Sequence, residues 1–265
     1  IHADGRKPPL FCIHAAGGHV IFYQRLVRHL PDRPIYGLQA QGLDGEQSPL
    51  TSVEAMAAHY IAEMKTVQPH GPYYLGGLSF GGFVAFEMAR QLQVQGDTVA
   101  LVALLDTRGP NYLRRSPLPW LRYQLQRVSQ QGTAYVWQRL RANLSPAKRD
   151  AVAAKLPDLT KQLGLDTANP NAKEIQRVVE ANLRAAAAYR PQPYRGKVAV
   201  FRAAHEPVLA GWVADPSLGW GNFSTSASLS VYDIPSRHFE MFDEPHIQHL
   251  ATQLQRSLDA AAPSP

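Results

Sequence analysis

Tyr73-Tyr74-Leu75-Gly76-Gly77-Leu78-Ser79-Phe80-Gly81-Gly82-Phe83-Val84-Ala85-Phe86-Glu87-Met88-Ala89 is the stretch on which the reading of this chain turns. Tyr73-Tyr74-Leu75 has strand character, and a helical pattern runs from about Phe80 to Gln95, where Gly96 would end it. Between the two stands Gly77-Leu78-Ser79-Phe80-Gly81, a G-x-S-x-G pentapeptide. A serine on a sharp turn between a strand and a helix is the setting of a nucleophile elbow. The glycines let strand and helix backbones pass close together. The turn lifts Ser79 onto the positive end of the helix dipole with its hydroxyl exposed. The bland alternative is a glycine-rich strand-to-helix turn with a passive serine.

Outward from this stretch, strand-like and helix-like segments alternate, the pattern of a parallel sheet covered on both faces. Before the elbow come an apolar run at Pro9 to Ile13, a helical segment from His19 to Leu30 ended by Pro31, and a strand-like Ile35 to Gln39. Thr51 and Glu54 have capping-box spacing ahead of an apolar-periodic run from Val53 to Val67. After the elbow, Thr98 to Leu105 reads as a strand buried on both faces. From about residue 111 to 189 strand signals stop, and Ile175, Val178, Val179, Leu183 and Ala186 recur at helical spacing. Strands resume at Lys197 to Phe201 and Ser228 to Tyr232, and a last helix spans about Pro245 to Leu258. The expectation is one α/β domain of the α/β-hydrolase type: a mostly parallel central sheet flanked by helices, with a helical lid insertion at about 111–189.

A serine hydroxyl needs a base within hydrogen-bond reach, and in this fold the order along the chain is serine, acid, histidine. His2, His19, His29, His59 and His70 precede Ser79 on surface-like segments, and His14 belongs to another motif. His246 and His249 fall within the last helix. His238, in the loop between the last strand and that helix, is the preferred base, with His205 as the alternative. Two acids compete. Asp106 ends the strand after the elbow helix, and Glu206 follows the next core strand, where many hydrolases of this fold place their acid; Asp106 is preferred. It would fix the imidazole tautomer and stabilise the imidazolium rather than take the proton. An oxyanion hole needs two backbone donors. The Phe80 N–H is one candidate, and the turn His14-Ala15-Ala16-Gly17-Gly18 would supply the other from Ala16, or from Ala15.

The composition narrows the class further. The 265 residues carry 27 Lys/Arg and 21 Asp/Glu, a net charge of +6. That excess is local: residues 108–184 hold 14 basic and 5 acidic side chains, and the remainder is slightly acidic. A basic insertion without a reading motif argues against nucleic-acid binding. No apolar run approaches 18 residues and no signal segment opens the chain, so a soluble, cytoplasmic protein is expected. The lone Cys12, inside an apolar run, excludes an internal disulfide, makes a metal cluster unlooked-for, and reads as a core residue. Ile1 at the start and the linker-like Ala260 to Pro265 suggest a domain taken from a larger polypeptide, although processing would leave the same ends.

These residues together resemble the thioesterase domains that close nonribosomal peptide synthetase and polyketide synthase assembly lines, over essentially the whole chain. The markers are His14-Ala15-Ala16-Gly17-Gly18, Tyr36-Gly37-Leu38-Gln39, Gly77 to Gly82, Leu105-Asp106, Tyr189 to Tyr194, Asp215 to Trp220 and His238-Phe239-Glu240-Met241. Ala15 departs from the proline common there, and Ser236-Arg237 replace a glycine-containing turn. The resemblance supports Asp106 over Glu206 and a helical lid where the insertion falls. It implies that no cofactor is bound, and that the substrate arrives as a thioester on the phosphopantetheine arm of an acyl or peptidyl carrier protein. Carrier proteins are usually acidic, so Arg114, Arg115, Arg122, Arg127, Arg139 and Arg141 become a candidate steering surface. The implied reaction is acyl transfer to Ser79, followed by hydrolysis or macrocyclisation. A free-standing editing thioesterase and a non-catalytic carrier-binding module are the alternatives.

Overall fold

A computed structural model of the chain describes residues 1–115, 171–206, 208, 212–224 and 228–262. Its centre is a six-stranded parallel sheet in the order β2-β1-β3-β4-β6-β8. The strands are β1 Leu10–Ile13, β2 Ile35–Leu38, β3 Tyr73–Leu78, β4 Val99–Leu105, β6 Val198–Ala203 and β8 Leu229–Ile234. The helices are α1 Gln24–Val27, α2 Val53–Val67, α3 Phe80–Val94, α4 Ala172–Ala188 and α5 His246–Ala260.

The period-2 alternation of buried strands sends successive side chains to opposite faces. Phe11, Ile13, Tyr73, Leu75, Val102, Leu104, Val198 and Val200 pack on one face with the apolar stripes of α2, α3 and the end of α4. Leu10, Cys12, Tyr74, Leu101, Ala103, Ala199 and Phe201 pack on the other with Leu26 of α1 and Ile247, Leu250, Leu254 and Leu258 of α5. Runs such as Leu101-Val102-Ala103-Leu104-Leu105 are apolar at every position because both faces are covered. Cys12 sits 1% exposed, and burial pushes its thiol up.

Three sequence expectations change. The cap of α2 is Ser52, not Thr51: its Oγ accepts from the Ala55 N–H at 3.2 Å, so Glu54 does not close the expected box. Both residues are good caps, and the extended backbone of Ser52 decides between them; such a cap is worth about 1 kcal/mol. The helix expected from His19 to Leu30 is a 3₁₀ turn, Ile21–Tyr23, leading into one short α-helical turn, α1. Inside the span read as strand-free, β5 Leu113–Arg115 pairs antiparallel with β7 Trp212–Ala214, outside the main sheet. A three-residue strand with two arginines gives no alternating apolar signal. Residues 116–170, the greater part of the expected lid, lie outside the described residues, as do Arg122, Arg127, Arg139 and Arg141. No helix among the described residues is long and apolar enough to cross a membrane.

Candidate active site

The strand-to-helix turn at Ser79 is strained, with φ 55° and ψ −115° in a non-glycine residue. A Cβ on Gly77 would overlap the backbone of Gly81, and one on Gly81 would come within 2.5 Å of the carbonyl oxygens of Ile13 and His14. Gly82 has no room either, because Thr107 presses on it. These glycines therefore allow β3, α3 and the end of β1 to converge on one point. The Ser79 N–H donates to Leu105 O at 2.9 Å, tying the turn to the end of β4. Serine at a helix N-cap ordinarily turns its hydroxyl onto the first-turn amides. Here Ser79 makes no side-chain cap bond, so its Oγ is left for other partners.

Asp106 follows β4 directly and also has positive φ, 41°. Its carboxylate is 1% exposed and held from two sides. Oδ1 accepts the Ala203 N–H at 3.0 Å, and Oδ2 accepts from His238 Nδ1 at 2.6 Å. Burial alone would raise this carboxyl; the bond and charge of His238, the Ala203 N–H and Arg108 together bring it below its ordinary value. His238 opens a 3₁₀ turn after β8. Its backbone N–H donates to Glu206 Oε1 at 2.7 Å, and Glu206 Oε2 pairs with Arg108 at 2.9 Å. The two candidate acids thus hold different parts of one residue: Asp106 the imidazole, Glu206 the main chain. Against burial, the His238 N–H and Arg108 lower the Glu206 carboxyl. His205 is exposed, and its backbone N–H donates to Ser236 O.

Ala15, Ala16, Leu78, Ser79, Phe83, Asp106, Arg108, Glu206, His238 and Phe239 line one cavity of about 310 Å³. Its walls are mainly apolar, with the polar groups converging at the strand ends, the place where open parallel sheets bind ligands. Phe80 starts α3, where the first amides have no intrahelical acceptor. Ala16 lies in the turn after β1 and faces the same cavity. Of the six arginines, Arg114 is ion-paired with Asp215 at 3.6 Å, and Arg115 ends β5.

Several residues to which the sequence assigned no role support this site. Arg108 bridges both acids, and Trp220 Nε1 donates to Thr107 O at 2.7 Å beneath the elbow. Tyr60 and Asn182 had a readable signal: each is a polar group on the buried stripe of its helix, Tyr60 between Ala57 and Met64, Asn182 between Val179 and Ala185. Their partners are His14 and Ala16. His14 is fully buried; its Nδ1 lies 2.8 Å from Ala15 O and its Nε2 2.7 Å from Tyr60 Oη. A carbonyl only accepts, so Nδ1 carries the proton, Nε2 accepts, and the Tyr60 hydroxyl donates.

Burial lowers His14 to about 4, so the folded ring stays neutral where an unfolded one would charge. The unfolded state then binds the extra proton between about pH 6.5 and 4, and stability falls as pH drops through that window, by about 3 kcal/mol at most. Thermal midpoints measured from pH 7 to pH 4 should fall more steeply for the wild type than for His14→Asn. Parallel curves would show that His14 does not drive acid destabilisation.

The thioesterase domain family matches residues 8–258. Malpinin synthetase of Mortierella alpina is 33% identical over 255 residues, covering 96% of this chain but 3% of that protein. A crystal structure of the NocB thioesterase domain in covalent complex with a fluorophosphonate nocardicin G analog superposes with TM-score 0.71 at 26% identity, covering 96% of each chain. The four-domain nonribosomal peptide synthetase holo-AB3403 gives TM-score 0.71 at 28% identity over all of this chain and 20% of its own. The chain therefore spans only a small part of the synthetases it matches.

Proposed function

This chain belongs to the thioesterase domain family, and from that premise we propose that it releases an acyl chain, peptidyl or polyketide, from the phosphopantetheine thioester of a carrier protein through an acyl-enzyme on Ser79. The observation that carries this reading is the 2.6 Å bond between Asp106 and His238 Nδ1 beside the strained serine turn, in one cavity. Asp106 holds the proton on Nδ1, which leaves Nε2 as the base for the Ser79 hydroxyl. Ser79 Oγ attacks the thioester carbonyl while His238 takes its proton. The Phe80 and Ala16 N–H groups stabilise the tetrahedral oxyanion. The intermediate collapses with loss of the pantetheine thiol, which leaves with the proton from His238. His238 then activates water, or an amine or hydroxyl within the acyl chain, to release an acid or a macrocycle. That the NocB thioesterase domain forms a covalent complex with a fluorophosphonate nocardicin G analog supports a covalent route for this chain.

The release mode is tested with synthetic acyl-pantetheine thioesters of graded length carrying a terminal amine or hydroxyl, with products read by mass spectrometry. Linear acids alone assign hydrolysis, ring-closed products assign macrocyclisation, and intact thioester after long incubation contradicts the proposal.

The basic insertion gives the partner reading. Long-range steering depends on net surface charge and is screened over about 8 Å at physiological salt. Neutralising Arg115, Arg122, Arg127, Arg139 and Arg141 together should lower kcat/KM about tenfold for carrier-bound substrate at low salt. A small pantetheine thioester should be unaffected, and the difference should vanish in high salt. Arg114 is left intact because Asp215 already answers its charge. Equal rates for the two proteins on carrier-bound substrate at low salt would remove these arginines as the steering charge.

A further inference from the structure

The turn that carries Ala16 is pinned at both of its peptide units by buried side chains that the proposed acyl transfer leaves unused. In the first unit, Ala15 O accepts from His14 Nδ1 at 2.8 Å and from the Gly18 N–H at 2.9 Å, so both of its lone pairs are engaged. In the second, Ala16 O accepts from Asn182 Nδ2 at 2.9 Å, across 166 residues of sequence. Asn182 is 1% exposed on the apolar stripe of α4, the helix at the end of the expected lid insertion. Burying an amide there costs free energy unless it is bonded, so a leucine would serve packing better. His14 is equally costly, and its ring stacks on Phe80, the residue whose N–H is the other oxyanion donor, with centroids 5.7 Å apart.

We propose that His14 and Asn182 are positioning residues for acyl transfer, holding the Ala15 and Ala16 carbonyls so that the Ala16 N–H stays presented to the cavity as an oxyanion donor. The inference rests on the proposed Ser79 reaction. A trans peptide is planar, with its N–H antiparallel to its C=O. A donor fixed on Ala15 O from the buried side therefore sends the Ala16 N–H the opposite way, toward the cavity that Ala16 lines. Fixing the following carbonyl as well removes the rotation about Ala16 that would turn the amide aside. The chain Tyr60 O–H to His14 Nε2, His14 Nδ1–H to Ala15 O, also polarises the amide, which strengthens its N–H as a donor. Since His14 stays neutral down to about pH 4, the arrangement is insensitive to pH over the working range of a histidine base.

The test compares His14→Asn with His14→Gln, and Asn182→Leu with the wild type, in the full chain. Asparagine places an amide N–H where Nδ1 stands, and glutamine places it near Nε2. Leucine at 182 keeps size and apolar packing but removes the donor. With a small acyl-pantetheine thioester, His14→Gln and Asn182→Leu should each lose about tenfold to a hundredfold in kcat, with KM within about twofold. Their Ser79 should react with a fluorophosphonate probe more slowly by a similar factor, because the phosphonyl oxygen occupies the same hole. His14→Asn should recover most of both rates. Thermal midpoints are measured beside the rates. A fall in stability with unchanged kcat, or His14→Asn no better than His14→Gln, overturns the positioning role. Labelling of wild-type Ser79 in the same assay separates the two levels: variants labelled as fast as a reactive wild type sink this inference alone, whereas an unlabelled wild type sinks the Ser79 reading itself.

Discussion

Replacing Ser79 by Ala is expected to lower turnover of an acyl-pantetheine thioester by about 10³-fold or more, leaving the thermal midpoint within about 2 °C of the wild type. The size of the loss follows from the covalent route: without Oγ no acyl-enzyme forms, and His238 has no serine hydroxyl to deprotonate. The silence of the fold follows from local geometry. Ser79 makes no cap bond with its side chain, and its structural tie is the N–H to Leu105 O, which alanine keeps. The positive φ is already strained for any residue with a Cβ, so alanine adds nothing. Retention of more than a tenth of the wild-type rate would take the nucleophile away from Ser79.

Asp106→Asn should cost about 10³- to 10⁴-fold in kcat, and Glu206→Gln less than about tenfold. Asparagine keeps the shape and can still accept the Ala203 N–H through its oxygen. Its amide nitrogen then faces His238 Nδ1, which must surrender its proton, so the imidazole presents a protonated Nε2 and no base. Glutamine at 206 still accepts the His238 N–H. What it loses is the charge partner of Arg108, a pair about a third exposed to solvent and so weakly coupled to the chemistry. The measurement is kcat for both variants beside the wild type, with stability checked in parallel. A large loss at Glu206 and a small one at Asp106 would reverse the assignment of the acid.

How far the sequence reaches is decided by the range of the interactions involved. The elbow is legible because strand, turn and helix are all written within Tyr73 to Ala89, where glycine spacing and apolar pattern act locally. Asp106 and His238 are legible because each stands at a strand end, and the order of strands fixes which ends meet. Asp106 Oδ2 on His238 Nδ1 and Glu206 on the His238 main chain are separations of one hydrogen bond, which spacing cannot resolve. The same holds for Asn182 on Ala16 and Tyr60 on His14: the helical stripe marks each as a buried polar residue but says nothing of its partner. The pairing of β5 with β7 escapes for another reason, since three residues outside the main sheet have too little apolar alternation to register.

Rapid-quench mass spectrometry of the intact wild-type chain, mixed with an acyl-pantetheine thioester, tests the Ser79 acyl-enzyme most directly. The expected result is a transient mass increase of one acyl group, mapped by peptide sequencing to Gly77-Leu78-Ser79-Phe80-Gly81 and absent from Ser79→Ala. Consumption of the thioester with no adduct at any time, or an adduct that persists in Ser79→Ala, would contradict it.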